Sequence, residues 1–495
     1  MKTLKKYIRP LGIAAVVTLM LAFTINKLRT RYWDSDVSFL INNGAYIWKN
    51  RCLPEFNPWT VHDGLRINIQ QWLCSVIVYL AYNKFSLAGL FVLNFTYIMT
   101  LMFTLWKYTK LFTGNLFYRV LAAVPCYMLL VDRWGSSRPT LVSSIIMMIE
   151  FYWLSKYFIL KEQKLGDKVK LISIIFILAV LQINYHSAMW VMTLLIIFAF
   201  VVPYGSSILK LEFDYKKIPF NLVLILVNIA GAFINPNGYK AITYLFKSYS
   251  VANECHIMEL TPVTLNTITA AFVIGNIMLL VYGIVQKLLP WSIIYLYLGT
   301  LILAIQHSRN VWFLVFPCVY AAVVDLRHLE ICNKISSTAK VVIYMVGLIL
   351  GTLLSVTNIV FFKFDEIDNS FYPTKCIEYL DNKYSDNKDL VRMYTDFNNG
   401  AAFELNGYKI YIDARPEIYT EDYLSDYNII REYLDIYEKS DEYDSVRKLI
   451  DKYNFTHIVT NPGDRIDLYL HWVENEYTIA VEDENYILWE RKDLK

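Results

Sequence analysis

Charge and paired cysteines are both scarce in this sequence. Only 18% of the 495 residues are charged and 56% are hydrophobic, with a mean hydropathy of +0.35, which argues against a soluble globular chain. The seven cysteines are widely spaced and include no CxxC pair, so we expect neither a disulfide framework nor a structural zinc site. Lys and Arg are scattered without a basic block, so the net charge of +3 gives no indication of nucleic-acid binding.

What the sequence has in abundance is aromatic and apolar residues. The 38 Tyr, 28 Phe and 12 Trp supply far more apolar surface than a disordered chain tolerates. Between Leu11 and about Phe362 the apolar residues form runs comparable to the roughly 17 to 25 residues that a membrane-spanning helix needs. About eleven spans are predicted: Leu11–Ile25, Leu87–Trp106, Leu116–Val131, Leu141–Ile159, Leu171–Ile183, Ala188–Val202, Ile218–Ile234, Leu265–Val285, Trp291–Ile305, Val311–Val324 and Val341–Phe361.

One further apolar segment, Ile69–Tyr82, decides the topology. It is short and joins directly to the span that begins at Leu87. If it does not cross the membrane, the positive-inside rule places the N-terminus and the basic loops in the cytoplasm; if it crosses, those loops are exported. We therefore interpret it as an interfacial or re-entrant helix. The chain is then a multi-pass protein of the cytoplasmic (plasma) membrane whose first loop, residues 26–71, and C-terminal part are extracytoplasmic.

The sequence changes character after Lys363. No long apolar run recurs, and Asp, Glu, Lys and Tyr surround short alternating segments such as Lys409–Asp413 and His457–Thr460. This pattern predicts a small soluble α/β domain. The expected fold is an α-helical polytopic membrane module, residues 1–362, followed by an extracytoplasmic α/β domain, residues 363–495.

Two carboxylates open the first exported loop. Asp34 and Asp36 lie just beyond the first span, at the start of a segment that has apolar residues at helical spacing as far as Trp48. Such a pair can act as a general base and a metal ligand. Alternatively, one of them simply caps the helix, and one residue can do both.

Groups that can bind phosphate lie at other exported span ends. Arg133 and Arg138 precede one span. An interfacial arginine commonly anchors a span by snorkelling, and its functional alternative is a bidentate clamp on phosphate. His186 follows Asn184 between two spans, where a lone histidine is more often structural than catalytic.

Histidine is rare, and most of it maps to the exported face. Four of the seven histidines fall there, among them His62 and His256. Together with Asp34 and Asp36, these two are candidate ligands of a metal ion. No HxH or HxxxH spacing supports such a site.

Short motifs follow one another in a recognisable order along the exported face. They are Asp34-Ser35-Asp36, Asn43-Gly44, Leu53-Pro54, Asn57-Pro58-Trp59-Thr60, Gln71-Trp72-Leu73, Arg138-Pro139, Asn184-Tyr185-His186, Asn235-Pro236-Asn237-Gly238, Arg309, Asn398-Asn399-Gly400 and the stretch from Ile412 to Tyr419. In this order they resemble the GT-C superfamily of membrane glycosyltransferases, and most closely its bacterial, polyprenyl-phosphate-sugar dependent branch. The resemblance covers most of the chain. Gln71 stands where that branch usually has Glu, and Asn399-Gly400-Ala401 where it usually has a Gly-Gly pair.

The resemblance implies a reaction and a base. The reaction is transfer of a sugar from a polyprenyl-phosphate donor to an acceptor outside the cytoplasmic membrane, which is a cell-envelope glycan, lipid or protein. Asp36 is the first choice for the general base that takes the acceptor proton, and Asp34 is the second. A divalent cation, Mg or Mn, stays open as a cofactor because some relatives use one and others do not.

The resemblance also implies groups that stabilise the departing lipid phosphate. Arg138, Arg309 and Arg133 are the cations at the exported face. His186, with Asn184 beside it, is expected to position phosphate or acceptor.

Two alternatives to these readings stay open. A transporter or flippase of a lipid-linked cell-envelope precursor would also place polar groups near membrane spans, although no inverted repeat is seen. In the tail, Asp413-Ala414-Arg415 follows a predicted strand and reads either as a buried salt-bridged strand end or as part of an acceptor site.

Overall fold

The computed structural model describes residues 2–31, 33–160, 165–201, 205–207, 210–211, 218–252, 262–264, 268–330, 335–360, 367, 372–432, 440–472 and 476–494. In chain order the helices are α1 (Lys2–Arg31), α2 (Ser35–Asn50), α3 (Trp72–Phe112), α4 (Leu116–Trp134), α5 (Pro139–Leu154), α6 (Leu165–Tyr185), α7 (Trp190–Val201), α8 (Ile218–Ala232), α9 (Tyr239–Ala252), α10 (Ile268–Val285), α11 (Trp291–Gln306), α12 (Val315–His328), α13 (Ser337–Val360), α14 (Thr374–Tyr384), α15 (Gly400–Leu405), α16 (Glu421–Glu432), α17 (Ser440–Tyr453) and α18 (Arg465–Trp472). The strands are β1 (Gly205–Ser207), β2 (Lys210–Leu211), β3 (Arg392–Tyr394), β4 (Lys409–Ile410), β5 (His457–Thr460), β6 (Tyr477–Glu482) and β7 (Ile487–Arg491).

Each of the eleven predicted apolar segments lies mostly within helix. Five helical stretches among the described residues are long and apolar enough to cross a membrane: Ile8–Arg29, Trp72–Phe112, Pro139–Ile159, Ser308–His328 and Ser337–Val360. Four shorter apolar helices accompany them: Ser187–Val201, Pro219–Ala232, Thr269–Val285 and Trp291–Gln306. The described part of the chain is therefore a predominantly helical, membrane-type protein with a small sheet.

The first loop differs from its predicted bounds of 26–71. Helix α1 continues to Arg31, because neither a glycine nor a proline follows the predicted end at Ile25 to stop it. The predicted amphipathic segment forms α2. At the other end most of the predicted segment Ile69–Tyr82 forms the first helical stretch of α3, which begins at Trp72. Within α3, Ser86 has left-handed, non-helical dihedral angles (φ 51, ψ −141) that separate two helical stretches.

The chain divides into two compact units. The helical unit comprises Met1–Tyr32, Leu87–Ile242 and Ile257–Phe364, and the α/β unit comprises Trp33–Ser86, Thr243–His256 and Asp365–Lys495. This division differs from the sequence-based boundary at residue 362, because most of the first loop and much of α9 group with the tail. Helix α9 itself was not predicted, since turn-forming Asn-Pro and Asn-Gly pairs precede it.

The helical unit is built from pairs of long helices. Helix α1 packs along α13, α4 against α12, and α6 against α8. Small residues allow one close approach: a Cβ atom at Gly351 of α13 would lie 2.7 Å from the backbone nitrogen of Leu19 in α1. The polar groups of this unit that are discussed below lie at or near helix ends.

The α/β unit contains a five-stranded mixed sheet with the order β4-β3-β5-β7-β6. Strands β4, β3 and β5 are parallel, whereas β7 is antiparallel to both β5 and β6. Helices α14 and α15 pack on one face, and α16, α17 and α18 pack on the other. The predicted strand His457–Thr460 is confirmed. The predicted strand Lys409–Asp413 is shorter, because its last residues leave the ladder towards an ion pair described below.

The first loop completes the edge of this sheet. The backbone N–H of Val61 donates to the Ile410 carbonyl at 3.0 Å, and that of Ile410 donates to the Trp59 carbonyl at 3.1 Å. Val61 and Leu65 enter the same apolar core as α16 to α18. The loop that carries the predicted catalytic carboxylates is thus an integral part of the α/β unit.

Candidate active site

The start of α2 distinguishes the two predicted catalytic carboxylates. Asp34 is the N-cap residue: its backbone is extended (φ −145, ψ 177) and its Oδ1 accepts the Asp36 backbone N–H at 3.1 Å. Asp36 lies in the first helical turn and is partly buried. An acidic residue in the first turn stabilises a helix by interacting with the positive end of its dipole. The structural reading of the pair therefore applies to Asp34, and the capping role does not occupy Asp36.

Aromatic packing fixes the backbone that leads into this helix. Trp33 is only 3% exposed, and its ring lies 5.9 Å from Tyr82 and 5.8 Å from Tyr372, edge-on to the latter. Such edge-on aromatic contacts add stabilisation beyond area burial. The residue before the cap is thus held by both the start of α3 and the tail.

Further along α2, one glycine permits a close helix contact. A Cβ atom at Gly44 would lie 2.1 Å from the Ser75 carbonyl oxygen in α3, so no other residue fits without moving the backbone. In the Asn43-Gly44 motif, the glycine is therefore required by helix packing.

Asn43 leads to a buried ion cluster that joins α2 to the tail. Arg415 Nη1 donates to Asn43 Oδ1 at 3.2 Å, and Nη2 donates to both carboxylate oxygens of Glu404 at 3.0 and 2.9 Å. Nε donates to both oxygens of Asp413 at 3.0 Å. Side-chain exposures are 6% for Arg415 and 0% for both acids. The interpretation of Asp413 and Arg415 as a buried salt bridge is confirmed, whereas Glu404 and Asn43 were not predicted as partners.

Aromatic rings enclose the same guanidinium. Its central carbon lies 5.2 Å from the Phe39 ring centroid and 5.8 Å from that of Trp59, within the range of cation–π attraction. Trp59 in turn meets Tyr46 edge-on at 5.9 Å. Because every nitrogen of Arg415 donates within the cluster, this arginine holds α2, the loop and α15 together and is not available to bind a phosphate.

The pKa values of the two acids are shifted in opposite directions. Burial raises the pKa of Glu404 well above its usual range, and the neighbouring Asp413 adds to this effect. The pKa of Asp413 is lowered because the attraction of Arg415 outweighs the cost of burial. Of the two acids, Glu404 is therefore the one that accepts a proton more readily.

A third acid extends the cluster towards α9. Glu417 accepts a hydrogen bond from the Tyr244 hydroxyl, and burial raises the pKa of Glu417. Helix α9, which the sequence did not predict, is thus joined to the tail through a tyrosine–carboxyl pair.

The geometry of α2 relates Asp36 to this cluster. Asp36 and Asn43 are seven residues apart, which places them on the same helix face, two turns or about 10 Å apart along the axis. Asp36 therefore lies on the same face of α2 as Asn43, but too far along the helix to contact the cluster.

In the helical unit, the residues predicted to bind phosphate lie at helix ends. Arg138 is the N-cap of α5, with an extended backbone (φ −75, ψ 142) and Pro139 in the first turn, as expected for a residue that precedes proline. Ser143, further along α5, lies 3.0 Å from His186 Nδ1, and Gln182 Nε2 donates to the Ser143 hydroxyl at 3.0 Å. His186 is thus held in one orientation.

The electrostatics of His186 favour its neutral form. It is only 5% exposed and lies at the junction between α6 and α7. Burial and the positive charge of Arg309 lower its pKa to about 3. A neutral imidazole at this position can exchange hydrogen bonds but adds no positive charge.

The other predicted groups of this unit also make tertiary contacts. Arg133 Nη2 donates to Thr269 Oγ1 at 3.1 Å, and the Arg309 guanidinium lies 5.9 Å from the Trp134 ring centroid. Asn184 Nδ2 donates to the carbonyls of Val180 and Ile234 at 2.8 and 2.7 Å, so both of its N–H donors are used within the protein.

The candidate metal ligands do not converge in the part of the chain that the structure describes. Those residues contain no group of three or more His, Cys, Asp and Glu side chains that could hold a metal ion. His62 Nε2 donates to the Tyr411 carbonyl at 2.9 Å, and its ring stacks on Tyr423 at 3.8 Å, as in a structural histidine. His256 lies outside the described residues.

Comparison with known proteins adds no assignment, since no protein-family model matches the chain and no curated protein matches it either. The argument for function therefore rests on the residues themselves.

Proposed function

We propose that the chain is an integral-membrane glycosyltransferase of the GT-C type, which moves a sugar from a polyprenyl-phosphate donor to an extracytoplasmic acceptor. The observation that supports it best is the division of labour at the start of α2. Asp34 accepts the capping hydrogen bond, and Asp36 lies beside it in the first turn and is partly buried. A carboxylate positioned by a rigid helix is a suitable general base.

The chemistry assigned to Asp36 is a single proton transfer. The acceptor hydroxyl attacks the anomeric carbon of the donor while its proton passes to the Asp36 carboxylate. The bond between the anomeric carbon and the phosphate oxygen breaks, and polyprenyl phosphate leaves with the electron pair. Asp34, the second choice for the base, also caps the helix, and this scheme assigns the proton transfer to Asp36.

The leaving phosphate needs positive charge. Arg138 is the first candidate, because it caps α5 with its backbone and a guanidinium can bind phosphate with two parallel hydrogen bonds. Arg309 and Arg133 are further candidates, and the neutral His186 would act as a hydrogen-bond partner. A divalent cation, Mg or Mn, is compatible with this proposal, but no step depends on one.

The proposal includes a topology of about eleven membrane spans with a cytoplasmic N-terminus and an extracytoplasmic tail. It is supported by the distribution of basic loops and by helices at all eleven predicted segments. We expect a reporter fused after Lys161 to be cytoplasmic and one fused after Lys363 to be extracytoplasmic. Alkaline phosphatase and green fluorescent protein fusions measure this, and reversal of either location would contradict the topology.

The function is tested with purified full-length protein in lipid nanodiscs. A panel of polyprenyl-phosphate sugars is supplied with cell-envelope acceptors, and release of polyprenyl phosphate is measured. We expect release with at least one donor and dependence on the acceptor. Donor movement between leaflets without release would contradict the proposal and support a flippase.

A further inference from the structure

The topology of the α/β unit marks a second place where a ligand can bind. From β3 the chain passes through α15 to β4 on one side, and then through α16 and α17 to β5 on the other side. Strands β3 and β5 are adjacent and parallel, with Tyr394 opposite Ile458. In open α/β sheets, ligands bind in the crevice outside the carboxyl ends of two strands at which the order reverses in this way.

A cleft occupies this position. Its volume is about 640 Å³, and the residues that line it include Tyr394, Asp396, Arg431, Thr460, Asn461 and Asp464. The residues come from the ends of β3 and β5 and from α16 and the turn before α18. This volume is typical of a site for a small molecule. No residue of α2 takes part, so the cleft is separate from the proposed base.

The charges that line the cleft are balanced. Asp396 accepts a hydrogen bond from the Tyr427 hydroxyl and lies 3.9 Å from Arg431 Nε. Asp464 accepts the Asn461 backbone N–H at 3.1 Å. With Arg465 also in the lining, two carboxylates face two guanidinium groups, which disfavours a ligand of large net charge.

The helix start beside the cleft is unsuited to phosphate. The Gly463 N–H, which would otherwise face an anion, donates to Asp467 Oδ2 at 3.0 Å. Asp464 and Asp467 place two negative charges at the end of α18 where a phosphate would bind. The described residues also offer no group of three metal-ligating side chains. These features favour a neutral ligand with several hydroxyl groups.

We propose that this cleft binds a neutral sugar unit. Neighbouring sugar hydroxyls donate to Asp396 and accept from Arg431, and charged groups make the stronger hydrogen bonds of this kind. This inference uses the α/β unit alone and does not depend on the glycosyltransferase proposal.

The test is binding to full-length protein in lipid nanodiscs by saturation-transfer difference NMR. The probes are methyl glycosides of glucose, galactose, mannose and N-acetylglucosamine, with glucuronate, glucosamine and glucose 6-phosphate as charged comparisons. We expect saturable binding of at least one neutral glycoside and weaker binding of the charged sugars. Absence of saturable binding by any neutral glycoside, or preference for a charged sugar, would overturn the proposal. No donor is added, so failure of the transfer assay leaves this result unaffected.

Variants locate the binding. Asp396→Asn and Arg431→Gln should each weaken it about tenfold, since each removes a charged hydrogen bond. Arg465→Gln, at an exposed position that tolerates substitution, should weaken it several-fold and serves if the other two variants fold poorly. Asp389→Asn changes a carboxylate with an exposed side chain (82%) that is absent from the cleft and should leave affinity unchanged. Equal affinity in all four variants would contradict a site in this cleft.

Discussion

Two groups of carboxylates in the α/β unit have nearly the same composition but opposite environments. Asp34 and Asp36 begin α2 and are both partly buried, whereas Asp413 and Glu404 are completely buried around Arg415. In the first group one carboxylate caps a helix; in the second both are bound to one guanidinium. The comparison shows that burial and partners, rather than residue type, set how much a carboxylate contributes to the stability of the fold.

The cost of substitution should differ accordingly. A fully buried charge that loses its partner destabilises the fold strongly, whereas a partly exposed carboxylate can be replaced with little effect on stability. Substitutions in the Arg415 cluster should therefore lower stability first and activity only as a consequence. Substitution of Asp36 should do the reverse.

The largest effect on stability is expected for Arg415→Met. This change leaves two buried carboxylates without their guanidinium, which typically costs about 3–5 kcal/mol. Limited proteolysis of the full-length protein at increasing temperature should show the α/β unit cleaved at much lower temperature. Arg447→Met is the matched control, because that ion pair is half-exposed on both sides (54% and 54%) and should contribute less than about 1 kcal/mol. Equal stability of the two variants would contradict a stabilising role for the cluster.

A smaller effect is expected from pH at His62. Burial lowers its pKa to about 4 from an ordinary value of 6.5, so between these values the unfolded state binds more protons than the folded state. Stability should fall as pH drops through 6.5 and level off below 4, by at most about 3 kcal/mol for this residue. The thermal midpoint of wild type should lose more between pH 7 and pH 4.5 than that of His62→Gln. Identical pH profiles would show that His62 does not titrate in this way.

The smallest effect concerns the cap of α2. Asp34→Ala should cost about 0.5–2 kcal/mol of local stability, and Asp34→Asn only a few tenths, since asparagine caps nearly as well. Hydrogen exchange of the first-turn amides in α2 measures this difference. If Asp34→Asn accelerated exchange as much as Asp34→Ala did, the carboxylate would contribute more than a cap.

The helical unit was the more predictable region. Long apolar runs produced helices at all eleven segments, because hydrophobic length is a local signal. The bounds were less accurate: α1 extends past its predicted end, and α3 begins at Trp72, three residues after the predicted start at Ile69. The predicted division between Tyr82 and Leu87 agrees with the break at Ser86.

The α/β unit was predictable in class but not in extent. His457–Thr460 alternates like a strand and is one, whereas the association of α2 with the tail depends on Asn43 and Arg415, which are 372 residues apart. Hydrophobic periodicity is a local signal and cannot predict a contact between residues so far apart in the sequence. The available signals were small: Gly44, and Gly400, where a Cβ atom would lie 2.1 Å from the Ile412 carbonyl oxygen. Glycines with no room for a side chain indicated that the two segments are tightly packed, but not their partners.

The most direct test of the account is sugar transfer by Asp36→Asn, compared with wild type and with Asp34→Asn. Asp36 does not provide the cap, so its substitution should leave the thermal midpoint unchanged. Loss of a general base commonly lowers the rate by about 10²–10⁴, so Asp36→Asn should nearly abolish polyprenyl-phosphate release while donor binding persists, and Asp34→Asn should retain activity. If Asp34→Asn abolished release and Asp36→Asn did not, the two roles would be reversed; near-normal release by both variants would contradict the proposed mechanism.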